Sequence, residues 1–227
     1  YAVWDDHDFG PNDSHGGFQF KNESQKVFRT MWPNQGYANF NGMNFGKIEL
    51  NDIEIYFLDN RFNRTSPKLG KSAQMLGADQ LEWLFNNLVT SKASFKLIVV
   101  GSQILNSEAV FETFANYSEE RMYVINKLQE LNIKNVIFLS GDRHFSECSE
   151  INSNSSNRLV DITSSPLTSK PYTNVSEKNL NRVEGSLIQE QNFATFQFSG
   201  EDKKRKVLVS FKNSTGTTLW SKSYSMN

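Results

Sequence analysis

Apolar residues in this chain fall into short runs broken by polar turns, and the spacing within each run predicts its element. Leu81, Leu84, Phe85 and Leu88 recur at i, i+3, i+4 and i+7, which predicts a helix over residues 79–88. Residues 95–100, apolar apart from Lys96, and residues 136–139 read as strands, the first ending at Gly101 and the second leading to Gly141-Asp142. Residues 48–50 and 53–58 read as strands joined by a hairpin turn at Asn51-Asp52. A helix is predicted over residues 23–31, with Asn22 as its cap and Pro33 beyond its end. Another begins at Ser118, has Glu119 and Glu120 in its first turn, and buries Ile125, Leu128 and Leu131. Residues 1–4 read as a short strand running into an acidic turn.

After residue 150 the alternation of helix and strand gives way to strands at 159–163, 193–198, 207–211 and 217–224. Ser214-Thr215-Gly216 supplies a hairpin signal between the last two. Residues 152–157 form a polar loop and 169–185 a long polar connection; neither marks a boundary. The expectation is α/β: one domain over 1–227, with two stacked mixed β-sheets flanked by helices.

Composition narrows the function. The net charge of −1 offers no basic surface for nucleic acid, and no apolar run reaches the roughly 20 residues of a membrane-spanning helix. Cys148 is the only cysteine, so an intrachain disulfide is excluded, and nothing around it activates a thiol. There is no Gly-x-Ser-x-Gly elbow for a serine nucleophile.

Two segments share one design. Tyr1-Ala2-Val3-Trp4 leads into Asp5-Asp6-His7-Asp8, and Val136-Ile137-Phe138-Leu139-Ser140-Gly141 leads into Asp142-Arg143-His144. Each is an apolar run ending in carboxylates and an imidazole. Such groups at strand ends point into the crevice above a sheet, and together they suit a pair of metal ions. Gly141 is the expected pivot just before Asp142.

These segments, with two others in order, resemble the alkaline phosphatase D (PhoD-like) branch of the calcineurin-like metallophosphoesterases. Trp4-Asp5-Asp6-His7-Asp8 with Asn12-Asp13 is similar to its signature. Leu58-Asp59-Asn60-Arg61 resembles its Leu-Asp-x-Arg, Gly77 to Leu84 its Gly-x-x-Gln-x-x-Trp-Leu helix, and Gly141-Asp142-Arg143-His144 its closing Gly-Asp-x-His. The resemblance implies a metallophosphoesterase-like four-layer sandwich. It implies hydrolysis of phosphate mono- or diesters by a metal-bound hydroxide, with two divalent or mixed-valence ions (iron, calcium, zinc or manganese).

It also implies roles. Asp6, Asp142 and His144 are metal ligands. His7 contacts the phosphate and protonates the leaving oxygen, and Asp8 orients His7. Arg61 is a phosphate contact or else pairs with an acid such as Asp59, and Asn12 orients the loop or reaches metal or substrate. Gln103 falls where a histidine ligand often stands. Gln80 and Trp83 serve packing or capping. The family's first metal loop lies upstream of the Asp-Asp-His motif, so the fold is expected to be incomplete at its N-terminus and an upstream segment to complete the site. The small phosphate ester is the expected partner, and a secreted or periplasmic location is implied. The alternative is a non-catalytic binding module that keeps the fold without the full two-metal site.

Overall fold

The computed structural model describes residues 1–38, 42–152, 156–201 and 204–226. Two sheets stack. The larger contains β1 (Gly46–Leu50), β2 (Ile53–Phe57), β3 (Phe95–Val99), β4 (Val136–Ser140), β5 (Glu147–Ile151) and β6 (Leu159–Thr163), in the order β1-β2-β3-β4-β6-β5. Its centre, β2-β3-β4-β6, is parallel; the edge strands β1 and β5 run antiparallel to it. The smaller sheet is wholly antiparallel and contains β7 (Asn192–Ser199), β8 (Lys206–Asn213) and β9 (Thr218–Ser225).

β2, β3 and β4 are mostly apolar, interrupted by Glu54 and Lys96, because both faces of the sheet are covered. Ile53, Phe95, Leu97 and Ile137 meet Val207, Val209 and Phe211 of the smaller sheet. Tyr56, Ile98, Val136 and Phe138 point the other way, onto Leu81, Leu84, Phe85 and Leu88 of helix α3 (Ala78–Thr90) and Val124 and Leu128 of α4 (Ser118–Glu130). A third cluster, with Trp4, Phe9, Phe28, Met43, Phe45 and Phe62, joins two further helices, α1 (Asp6–Phe9) and α2 (Lys21–Met31), to the loop after β2.

The stacked sheets with flanking helices match the expected class, except that the smaller sheet is antiparallel rather than mixed. Several local expectations are corrected. Residues 1–4 form no strand; the backbone enters α1 directly. Helix α2 starts at Lys21 with Phe20 as its cap, so Asn22 lies inside it. In α4 the inward face is Val124 and Leu128, with Ile125 beside the core, while Leu131 caps the helix and stays exposed. Strand β5 was not anticipated. The loop expected at 152–157 lies partly outside the described residues; the connection at 169–185 is irregular, as expected. No helix among the described residues is long and apolar enough to cross a membrane.

Candidate active site

The loops that follow β2, β3 and β4 lie at the carboxyl ends of parallel strands, where an α/β sheet opens a crevice. The loop after β2 is built around one buried carboxylate. Asp59 Oδ1 accepts hydrogen bonds from the Trp4 indole Nε1 (2.8 Å) and from the backbone N–H groups of Arg61 and Phe62 (both 2.9 Å); Oδ2 accepts from Asn44 N at 2.8 Å. Burial pushes the Asp59 carboxyl above the ordinary carboxylate range, against these donors. Gln80 of α3 holds the same residue from outside. Its Oε1 accepts from Asp59 N at 2.7 Å and its Nε2 donates to Asp59 O at 2.8 Å. Trp83 packs on Phe45 and Tyr56.

Arg61 is fully buried. Its guanidinium donates to both oxygens of Glu112, to Asp5 Oδ1, and to Ser14 O at 3.2 Å. Arg64 Nη2 reaches the same Glu112 at 2.5 Å. Arg61 therefore does not face the cavity as a phosphate contact. Of the two expectations it is the ion pair that forms, with Asp5 and Glu112 rather than Asp59. Asp5 can approach this closely because Gly101, just past β3, has no side chain: a Cβ there would lie 2.5 Å from Asp5 Cγ.

Asp6, His7, Asn12, Asp142 and His144 line one cavity of about 320 Å³, with Asp13, Phe111, Glu112, Arg143 and Tyr172. Asp6 is buried, and its oxygens accept from His7 N (2.9 Å) and Asp13 N (3.0 Å). The His7 ring is 78% exposed, with Nε2 3.8 Å from Asp6 Oδ2. Asp8 lies elsewhere. Its Oδ2 accepts from Asp5 N at 3.2 Å, closing the first turn of α1, so the carboxylate beside the His7 ring is that of Asp6 and not Asp8.

The turn after β4 also differs from expectation. Asp142 and His144 themselves take left-handed backbone angles (φ +68° and +54°), whereas Gly141 does not. Non-glycine residues in this region carry strain and cluster at working sites. The Nδ1 of His144 lies 3.0 Å from Lys170 O. A carbonyl can only accept, so Nδ1 is the donor, and in the neutral ring Nε2 then holds the lone pair. Gln103 is buried: its Nε2 donates to Glu147 and Thr163, and its Oε1 accepts from Asn106 and Arg143. It has no free donor for a metal and is not a ligand.

The carboxylates outnumber their cations. Asp5, Asp6, Glu112 and Asp142 face Arg61 and Arg64, because Arg143 is engaged by Glu177. Burial, then the charges of Asp5, Glu112 and Asp6, push Asp142 up to about 7, with Arg61 opposing. Asp5, Asp6 and Glu112 offer oxygens within 4.8 Å of one another. Beside them the buried oxygens Ser14 Oγ and Asn60 Oδ1 meet no partner among the described residues. Hard oxygen donors in negative excess, with an imidazole nitrogen, fit a divalent cation.

Sequence reasoning did not single out Glu112, Phe111 or Tyr172. They sit in irregular segments whose composition carries no signal. Asp13 was legible only as part of the Asn12-Asp13 pair.

Two sheets stacked with flanking helices and a cavity at the parallel strand ends define a metallophosphoesterase-like fold. Nearly the whole chain (99%) superposes on 54% of the structure of PhoD, with a TM-score of 0.73 at 17% identity. A purple acid phosphatase from yellow lupin (Lupinus luteus) seeds matches 84% of the chain over 34% of its own length, with a TM-score of 0.56 and 12% identity. The model of the PhoD-like phosphatase family matches residues 1–217, and the chain belongs to that family. Alkaline phosphatase D of Bacillus subtilis (strain 168) is 36% identical over 87 residues, covering 34% of this chain and 15% of that protein. The chain thus spans about half the length of the PhoD structure and a smaller share of the curated relative.

Proposed function

We propose that this chain hydrolyses phosphate esters, preferably diesters, with divalent cations held at the cavity bounded by Asp6, His7, Asp142 and His144. The observation that carries this reading is the convergence of two loops, distant in sequence, on one cavity with excess negative charge. Family membership supports the phosphoesterase class. Asp6, Asp142 and the Nε2 of His144 would hold the cations. Bound there, the cations supply a lowered water pKa and neutralise the charge developing on the phosphoryl oxygens. The chain's own residues do the rest. His7, exposed at the rim, donates a proton to the leaving oxygen, with the Asp6 carboxylate 3.8 Å from its Nε2. Arg61 fixes Asp5 and Glu112 beneath the cavity. Exposure of His7, Asn12 and His144 leaves room for a second ester group, which favours a diester.

Calorimetric titration of manganese or calcium, alongside hydrolysis of bis(p-nitrophenyl) phosphate, tests the reading. Asp142→Asn should lose both cation binding and turnover. His7→Gln should keep binding while turnover falls by about 10²–10⁴-fold, the usual contribution of a general acid. Turnover insensitive to chelators would overturn the metal-dependent reading. Binding without turnover on any ester would leave the binding module instead.

A further inference from the structure

Phe111 is placed in a way that neither packing nor metal binding accounts for. It adopts φ +47°, a region that bulky side chains avoid, yet the residue is left 66% exposed, so burial does not offset the strain. The conformation is held from several directions. Asn116 Nδ2 donates to Phe111 O at 2.9 Å, and the next residue, Glu112, is pinned by Arg61 and Arg64. The Arg143 guanidinium lies over the ring, 4.8 Å from its centroid and equally 4.8 Å from the centroid of the Phe145 ring. That guanidinium is itself fixed by Gln103 Oε1 at 2.7 Å and Glu177 at 2.6 Å. Tyr172 meets Phe111 edge-on, with centroids 5.9 Å apart at 77°. The backbone N–H of Tyr172 donates to His144 O at 2.7 Å, which ties this aromatic wall to the Asp142–His144 turn.

Both rings line the same cavity as Asp6, His7 and Asp142. Neither ring face helps to bind a phosphoryl group, because the electron-rich face of an aromatic ring repels an anion. They suit the organic part of an ester. We propose that Phe111 and Tyr172 form a subsite for a planar aromatic or heteroaromatic group carried by the phosphate ester, an aryl or nucleobase moiety, rather than for a small aliphatic alcohol. This deepens the hydrolase reading and rests on it for the identity of the ester.

The first test needs neither metal nor turnover. Saturation-transfer NMR with phenol and with cyclohexanol should show phenol at the cavity, lost in both Phe111→Ala and Tyr172→Ala and restored in Phe111→Tyr, with cyclohexanol weak throughout. The second is kinetic. Both alanine variants should raise KM for bis(p-nitrophenyl) phosphate by about 3- to 10-fold, the range for loss of one ring–ring contact, with kcat held. KM for β-glycerophosphate should not move. Phe111 is exposed and Tyr172 half-buried, and unchanged thermal unfolding of each variant checks the fold. Equal effects on aryl and alkyl esters, or phenol binding that survives both alanine substitutions, would overturn the subsite. Absence of hydrolysis with phenol binding as described would refute the enzymatic reading and uphold the subsite.

Discussion

Arg61 offers two incompatible roles, and substitution separates them. A phosphate contact would be partly solvated, and its loss would weaken substrate binding with the fold intact. The structure instead buries Arg61 completely and engages it with Asp5, Glu112 and Ser14 O. Arg61→Met keeps much of the stem volume but leaves Asp5 and Glu112 without their shared cation. Breaking a buried pair from one side costs about 3–5 kcal/mol. Arg64 still holds Glu112 at 2.5 Å, which argues for the lower part of that range. At about 2–4 °C per kcal/mol for a domain of this size, the midpoint of thermal unfolding should fall by roughly 6–16 °C. The variant should also gain a response to cations. Asp5, Asp6 and Glu112, with oxygens within 4.8 Å of one another, lose their guanidinium and become a stronger oxygen cage. Added calcium should therefore raise the midpoint more in Arg61→Met than in the parent. Circular dichroism melts with and without calcium measure both effects. A midpoint within about 2 °C of the parent, near the shift of a single kcal/mol, together with a raised KM would refute the buried-strut reasoning.

Two further outcomes follow from the same geometry. Gly101→Ala should displace Asp5 and with it Arg61, because the new Cβ would lie 2.5 Å from Asp5 Cγ; a lowered unfolding midpoint and weakened cation binding by calorimetry check this. Asp52 at the β1–β2 turn accepts two hydrogen bonds from Arg205 (both 2.8 Å) and one from Ser94 Oγ (2.7 Å), and these lower its carboxyl to about 2. The folded state thus holds Asp52 ionised, so its contribution is fully present above the unfolded value near 4 and is lost as pH falls towards 2. Partial exposure limits it to about 1–2 kcal/mol, and Asp52→Asn should flatten that part of the stability–pH curve measured by urea titration.

The elements legible in the sequence were those whose side chains all serve one surface. The stripe of α3 faces one core, and the runs of β3 and β4 are sandwiched on both faces. Strand β5 was invisible because two of its three buried residues, Glu147 and Ser149, are polar and are satisfied from far away. Glu147 is held by Arg182, Asn179 and Gln103, and Ser149 by Asn179. No alternation of hydrophobicity survives that arrangement. Residues 1–4 misled for the opposite reason. Tyr1 stacks on Phe57 and Trp4 fills the third core with its indole on Asp59, so an apolar run serves separate contacts and no ladder. The partners of Arg61 were unreadable in principle, since Asp5 and Glu112 stand 56 and 51 residues away.

The motifs that carry the family resemblance divide differently in space than in sequence. Leu58-Asp59-Asn60-Arg61 and the helix with Gln80 and Trp83 look like separate signatures, but they assemble around a single buried carboxylate. Asp59 binds Trp4, the residue just before the acidic loop, and so sets where Asp5 and Asp6 begin. Through two backbone N–H groups it shapes the turn that delivers Arg61 to Asp5. Gln80 grips the same residue from α3 and thereby transmits the position of the helix to the loop. A carboxylate with no exposed surface and donors from three segments of chain is costly to desolvate, and burial does push it above its ordinary range. Such a group is tolerated where its geometry is needed elsewhere. Here the need lies next to its contacts, in Asp5 after Trp4 and in the side chain of Arg61, which together hold the acidic floor of the cavity. Few residues of these motifs line the cavity, and much of what the motifs encode is the scaffold that positions them.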